Sequence, residues 1–285
     1  MPVNSGAEPL TAVARILACP ECGDTLTVRD RSLVCARRHS FDIARQGYVS
    51  LLTGASTKMT GDTADMLDAR AAFQGERHFA PIADALVAAL SAATPNPRTL
   101  LEIGSGTGYY LAAALDALPN ADGIALDVAK PAARRGARAH PRAASILADA
   151  WRGLPVRDAA LTHVLSVFAP RNPDEVARVL DPGGLFVVVA PTHRHLAELI
   201  EPLGMVSVDS TKDDRLAEAL SGRFERIDRE LVEYPMKLGH TDIGNVAAMG
   251  PSAHHAAAAR SDRIAALPEF VQVTASVTVS SYRPR

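Results

Sequence analysis

Four side chains near the start of the chain constrain it most. Cys19 and Cys22 are separated by two residues, Cys35 follows after twelve more, and His39 after a further three. The two knuckles, Cys-Pro-Glu-Cys and Cys-Ala-Arg-Arg-His, together offer the four donors of a closed tetrahedral zinc site. All three cysteines of the 285-residue chain lie in this stretch. An odd count confined to one region argues against a disulfide framework. A Cys-x-x-Cys redox pair would leave Cys35 and His39 without a role, and no thioredoxin-like βαβ pattern lies beside it. The intervening GDTLTVRDRSLV alternates apolar and polar residues about Arg29-Asp30-Arg31, which predicts a short hairpin joining the knuckles. Four protein ligands leave no open position, so such an ion is structural; it lets ~40 residues fold without a large core. Arg29, Arg31, Arg37, Arg38 and Arg45 either meet phosphates or form a solvated face, and the residues leave both readings open.

The length suits one ordinary domain with a small appendage. A hydrophobic content of 47% with 22% charged residues supports a sizeable core and excludes a collagen-like or disordered chain. No apolar run approaches the ~20 residues of a membrane span. The N-terminus lacks the charged start, apolar stretch and cleavage site of a secretory leader. The expectation is a cytoplasmic protein with no membrane partner. The formal net charge is −2, so any contact with nucleic acid must be a local patch.

Residues 1–56 read as the zinc module, with 40–56 closing it. Residues 57–97 read as a linker with helices: Met66, Ala69, Ala72 and Phe73 fall at helical spacings, and Ile82, Leu86, Val87 and Leu90 share a face over 81–93. Pro95 and Pro97 end that helix. Residues 98–285 form the main domain. Strands are predicted over 99–103, 123–127, 144–148, 161–167 and 185–190, with helices over 109–118, 129–140 and 174–180. This alternation implies a parallel sheet covered on both faces. Beyond residue 190 the signals weaken, and 224–236 and 270–283 supply two final strands.

The first of these strands runs into Glu102-Ile103-Gly104-Ser105-Gly106-Thr107-Gly108-Tyr109-Tyr110 and then opens a helix. Glycines there let a ligand approach the backbone at the carboxyl end of the strand. A nicotinamide fingerprint, G-x-G-x-x-G, needs its third glycine where Tyr109 stands, which disfavours a pyrophosphate loop. Asp127 ends the second strand and can accept from both hydroxyls of a ribose. Asp149, with Ala150 and Trp151 beside it, follows the third and suits the edge and face of an adenine. Singly, each residue reads equally as turn or cap chemistry. The ordered set resembles the class I S-adenosylmethionine-dependent methyltransferases: an α/β, Rossmann-like fold with a mostly parallel seven-stranded sheet, here carrying an N-terminal zinc-binding module. The turn Asp181-Pro182-Gly183-Gly184 resembles the one before that superfamily's fifth strand.

A narrower resemblance rests on CPEC, CARRH-SFD, QGYVSLL, EIGSGTGYY, LDVAK, FAPRNPDEVARVLDPGG and PTHRHLAEL, from residue 19 to about residue 200, with looser matches at YPMKL and MGP. These stretches resemble the 23S rRNA guanine-N1 methyltransferases, the RlmA family with its tylosin-resistance branch. QGYVSLL is the most family-specific piece; EIGSGTG alone identifies only the superfamily. The resemblance implies zinc at Cys19, Cys22, Cys35 and His39. It implies a methyl-donor site at Glu102, Gly104, Gly106, Tyr110, Leu111, Asp127 and Asp149. Phe79 in ERHFAPI and His195 in PTHRHL match family positions at the same site, although Phe79 also reads as core and His195 as a helix end. The implied partners are a hairpin in domain II of 23S rRNA and a second copy of the chain, the paired zinc modules framing a basic cleft. The implied target is guanine 745 or its neighbour 748. The alanine- and arginine-rich composition favours 748, and with it resistance to tylosin-type macrolides.

The expected chemistry is in-line methyl transfer to guanine N1, which carries a proton at neutral pH. His193, His195 and Asp174 are candidates for assisting its removal, and the sequence does not choose among them. A base inside a hairpin loop must be flipped to react. Phe168-Ala169-Pro170, after the fourth strand, is the expected clamp: Phe168 stacks on guanine and the carbonyls accept from its exocyclic amine. Arg134, Arg135 and Arg138 share a helix and read as a charged face or as phosphate contacts. His254-His255 has no supporting ligands and no assigned role. Two rival readings remain: a small-molecule methyltransferase stapled by zinc, and an RNA-binding protein with a decayed donor pocket. The intact glycine loop with Asp127 and Asp149 opposes the second.

Overall fold

The structure, a computed structural model, describes residues 7–54, 57, 59–93, 98–207, 209, 212–250 and 257–285. Pro95, Pro97, His254 and His255 lie outside the described residues. Near the N-terminus, β1 (Leu26–Arg29), β2 (Ser32–Cys35) and β3 (Ser40–Asp42) form a small antiparallel sheet in that order. The β1–β2 hairpin closes at Arg29↔Ser32, with Asp30 at φ 52°. A short polar residue tolerates this left-handed conformation.

The next strand, β4 (Tyr48–Ser50), departs from expectation. It folds back on the zinc module through an Ile43↔Val49 bridge and also pairs in parallel with the outer edge of the main sheet, Tyr48 opposite Ser145. That sheet also contains β5 (Thr99–Ile103), β6 (Asp122–Asp127), β7 (Ala143–Leu147), β8 (Leu161–Val167), β9 (Leu180–Pro191), β10 (Phe224–Gly239) and β11 (Phe270–Pro284). Their order is β10-β11-β9-β8-β5-β6-β7-β4. The seven expected strands are thus joined by an eighth. Strand β11 runs antiparallel to both β9 and β10, and the remaining pairs are parallel. Strand β5 lies between β6 and β8, so the chain reverses its order there. The crevice at such a switch point is where ligands bind in this architecture.

Strand β9 starts earlier than expected because Leu180 already pairs with Leu161; the register then shifts across Asp181–Gly184. The Gly183 N–H donates to Asp181 Oδ1 at 2.8 Å, an Asx turn. The helix expected over 129–140 is Lys130–Gly136. Its last residue lies close against the sheet, where a Cβ would stand 3.0 Å from Ala125 Cβ.

Each face of the sheet carries one core. One contains Phe73, Ile82 and Leu86 against Leu165, Val187 and Val277. The other contains Leu17, Leu26, Leu33 and Ile43 of the N-terminal segment against Leu101 and Ile124. The zinc-ligand segment therefore packs into the underside of the sheet. A bridge from Leu17 to Val156 ties it there as well.

Candidate active site and metal centre

The two N-terminal turns bring their donors together. The Gly23 N–H donates to Cys19 O at 2.8 Å with Gly23 at φ 75°, and the Arg38 N–H donates to Cys35 O at 3.0 Å with Arg38 at φ 68°. The three Sγ atoms and His39 Nδ1 all lie within 4.8 Å of one another. Cys22 and Cys35 Sγ are 3.7 Å apart, and His39 Nδ1 is 3.6 Å from Cys19 Sγ and 3.4 Å from Cys35 Sγ. Tetrahedral zinc with ordinary bond lengths gives edges of about 3.8 Å for S···S and about 3.6 Å for S···N. The donor set fits that ion, and His39 presents Nδ1 to it.

At the carboxyl ends of β5, β6 and β8 lies a cavity of about 620 Å³, within the range of small-molecule sites. Gly104, Gly106 and Gly108 have φ of 67°, 53° and 77°. A Cβ on Gly104 would stand 2.7 Å from Ala169 Cβ, and one on Gly106 would stand 2.7 Å from Arg70 Nη1. Gly108 has a different reason to be glycine. It caps the helix Tyr109–Ala117, and a Cβ there would meet Ala139 Cβ at 2.5 Å.

Glu102, Gly104, Tyr110, Asp127 and Asp149 all line the cavity, as do Phe79 and His195. Asp127 takes the N–H of Gly106 on Oδ2 (2.9 Å) and that of Ala129 on Oδ1 (2.8 Å). Burial nevertheless holds its carboxyl above the usual range. Asp149 accepts from the Trp151 N–H at 3.0 Å and from the Thr57 hydroxyl at 2.6 Å. The Tyr110 and Ser105 hydroxyls are buried in the wall with no hydrogen-bond partner among the described residues. Orphaned polar atoms beside a cradle that side chains would fill suit a polar ligand laid on the glycine loop. Neither Gly106 nor Leu111 is in the wall: Arg70 lies over the first, and the second is buried in the core, its N–H donating to Glu102 Oε2 at 3.1 Å.

Glu102 is almost wholly buried, and burial pushes its carboxyl up to about 8. At pH 7 the empty site therefore holds it neutral. A donor carrying sulfonium and ammonium charges favours the ionised form, so binding releases a proton. Affinity for S-adenosylmethionine should rise about tenfold as pH increases from about 6 to about 7, below the range in which the ligand's own ammonium titrates. Calorimetry in the Glu102→Gln variant should show a flat profile. A pH-independent wild-type affinity would contradict this account.

An aromatic slot stands beside the loop. Phe168 is 40% exposed yet held at φ 54°, an uncommon conformation for a bulky residue. Its ring stacks on His195 at 5.7 Å and 27°, and Phe79 lies 5.8 Å from His195 and 6.2 Å from Phe168. Ala169 and Pro170 join Phe168 in the wall. The Ser276 N–H donates to His195 Nδ1 at 3.2 Å, so the neutral ring carries its hydrogen on Nε2. Burial lowers the His195 pKa to about 4. With Nδ1 accepting from Ser276, His195 has an N–H at Nε2 to donate and no free basic nitrogen. Neither of the other two candidates reaches the site. His193 is exposed outside the cavity wall, and Asp174 is exposed and paired with Arg223 at 2.7 Å.

Sequence reasoning missed what the helix Ala64–Gly75 contributes. Arg70 lies over Gly106, and Gln74 Oε1 accepts from the Thr107 hydroxyl at 2.7 Å. Both share a stripe with buried Met66 and Phe73. Polar residues interrupting an apolar helix face were the available signal. On the helix Lys130–Gly136, Arg135 is paired with Asp68; Arg138 lies beyond the end of that helix, so only Arg134 and Arg135 of the three expected arginines share it.

Comparison with known proteins agrees with this geometry. Residues 17–56 match the family model of the RlmA N-terminal zinc ribbon, and residues 101–188 match a methyltransferase domain. A Streptomyces fradiae protein named 23S rRNA (guanine(748)-N(1))-methyltransferase is 46% identical over 275 residues, covering 95% of this chain and 98% of its own. A Micromonospora griseorubida protein, provisionally named a 23S rRNA (guanine-N1)-methyltransferase, is 45% identical over 287 residues, covering 94% and 97%. Among solved structures, a Bacillus halodurans C-125 protein described provisionally as a methyltransferase superposes with a TM-score of 0.50 at 15% identity, over 70% of this chain and 97% of its own, a likeness of fold alone. With a zinc ribbon, a donor cradle and near full-length relatives in agreement, the chain belongs to the RlmA family of 23S rRNA guanine-N1 methyltransferases.

Proposed function

We propose that this protein transfers the methyl group of S-adenosylmethionine to N1 of guanine 748, in the loop of a domain II hairpin of 23S rRNA. The observation that carries the reading is the shared cavity: the glycine loop, Asp127 and Asp149 line one side, and the Phe79–Phe168–His195 slot adjoins them. The choice of 748 is supported by the nucleotide in the name of the Streptomyces fradiae relative. By the same reading, the modification protects ribosomes against tylosin-type macrolides in the cytoplasm.

The donor supplies a methyl carbon already activated by a positive sulfur. The chain's task is alignment, which is worth several orders of magnitude in rate. Asp127 and Asp149 hold the ribose and adenine, and Phe168 stacks on the flipped guanine. His195 offers its Nε2–H to the O6 acceptor of the base, which favours loss of the N1 proton to solvent; the N1 pair then forms the N–C bond as the S–C bond breaks and S-adenosylhomocysteine leaves as the neutral thioether. Residues 1–56 serve as the RNA-recognition module, 57–97 as the linking helices and 98–285 as the transferase domain. Arg29, Arg31, Arg37, Arg38 and Arg45 are all exposed on the module, with Arg37 also paired to Asp24 at 3.2 Å. Two chains pair so that their modules frame the RNA.

The test is transfer of labelled methyl from S-adenosylmethionine to unmodified 23S rRNA, mapped by primer extension. N1-methylguanine blocks pairing, so reverse transcriptase should stop once, beside nucleotide 748. A stop at 745 would overturn the nucleotide assignment. Unlabelled RNA, with S-adenosylhomocysteine binding intact, would overturn the RNA reading in favour of a small-molecule acceptor.

A further inference from the structure

The cavity has an unusual balance of charge. Among the described residues that line it are five carboxyl groups, on Asp62, Glu102, Asp127, Asp149 and Asp209, and only one arginine or lysine, Arg70. Arg70 comes from the helix Ala64–Gly75, whose first turn is capped by the Thr63 hydroxyl and whose last turn is tied to the glycine loop by Gln74 and Thr107. Its guanidinium is therefore held in place over Gly106, where Nη1 lies 2.7 Å from the position a Cβ would take. Nη1 also meets Asp62 at 2.6 Å, and Nη2 donates to Met249 O at 2.6 Å. A guanidinium has five N–H donors, so these two contacts leave others for a ligand.

S-adenosylmethionine carries two positive groups, sulfonium and ammonium, and one negative group, the carboxylate of its amino-acid arm. Asp62 is paired with Arg70 and Asp209 with Arg215, but the remaining carboxylates of the wall suit the first two and repel the third. We infer that Arg70, itself seated on Gly106, receives that carboxylate, holding the amino-acid arm beside the glycine loop and setting the cavity's preference for ligands that carry the acid. This inference rests on the methyl-donor reading of the cavity. The absence of a Cβ at Gly106 lets the guanidinium lie against the loop, which gives that glycine a reason beyond its φ of 53°. The contact with Asp62 orients the fork, so the arginine meets the carboxylate prearranged. An arginine–carboxylate pair of this kind is charge-assisted and bidentate in its favoured geometry.

The experiment compares two ligands on the full-length, zinc-loaded protein by calorimetry. One is S-adenosylhomocysteine. The other is its decarboxylated analogue, identical but for the missing acid. Wild-type protein should prefer the first by roughly 10- to 100-fold. Arg70→Gln should weaken S-adenosylhomocysteine binding by a similar factor and leave the analogue within about twofold. Arg70→Lys, which keeps the charge but loses the fork, should fall between. Equal loss for both ligands in Arg70→Gln would overturn the inference by showing that the arginine merely organises the loop. So would a wild-type protein indifferent to the acid, a comparison that needs no variant to fold. Unchanged ligand affinity with a raised KM for RNA would overturn it in favour of a phosphate contact. Wild-type protein that bound neither ligand would sink the methyl-donor reading itself, and the inference with it.

Discussion

Replacing Cys35 by serine is expected to abolish zinc binding and to lower the melting temperature of the whole chain, not only to loosen its N-terminus. Cys35 is buried at the end of β2, and both the Cys22 sulfur and the His39 ring stand within 3.7 Å of it. Structural zinc contributes about 10–16 kcal/mol to the folding of isolated zinc modules. That matches or exceeds the whole stability of an ordinary domain, about 5–15 kcal/mol. The module cannot come apart alone, because Leu17, Leu26, Leu33 and Ile43 share a core with Leu101 and Ile124 of the main sheet. Strand β4 likewise pairs with β7. Loss of only a few kcal/mol from that shared core lowers the melting temperature by about 10 °C in a chain of this size. Elemental analysis should find one zinc per wild-type chain and none in the variant, alongside the fall in melting temperature. Zinc loss with unchanged melting would mean that the module adds nothing to the sheet's stability.

That coupling was not legible in the sequence, whereas the zinc ligands themselves were. Cys-x2-Cys and Cys-x3-His fix donors within single turns, so spacing alone brings them together. The glycine loop with Asp127 and Asp149 was legible for a related reason: each sits where a strand ends, and parallel strand ends share one rim of the sheet. Strand β4 failed this logic. It is three residues long, and its partner β7 lies more than ninety residues away, so no local period announces it. Strand β10 was visible only in part because it is an edge strand, and most of its first half is exposed. Arg70 was missed because a helical arginine carries no motif; its meaning comes from the loop packed beneath it. Asp174 was misleading for the opposite reason. It follows β8 closely in sequence, but Asn172 caps the helix Pro173–Val179 and leaves Asp174 facing outward toward Arg223.

Phe168 joins fold and chemistry most directly, and the proposed function makes its substitution sharply diagnostic. Its left-handed backbone costs about 1–3 kcal/mol unless the surroundings compensate. A residue that merely packed the end of β8 would have little reason to bear that cost while leaving its ring 40% exposed. Phe168→Gly should relieve the strain, since glycine adopts φ 54° freely, and thermal stability should be unchanged or higher. It should also remove the face on which guanine stacks. Base–aromatic stacking is worth about 1–3 kcal/mol, so kcat/KM for 23S rRNA should fall by roughly 10- to 100-fold. S-adenosylhomocysteine affinity should stay within about twofold, because the glycine loop, Asp127 and Asp149 are untouched. Phe168→Tyr keeps the ring and should retain most activity. The pattern of higher stability, intact donor binding and lost RNA methylation is one that a packing role does not produce. If Phe168→Gly instead lost stability and donor affinity together, the ring would serve the packing of the wall and the donor, and the flipped guanine would have to be held elsewhere.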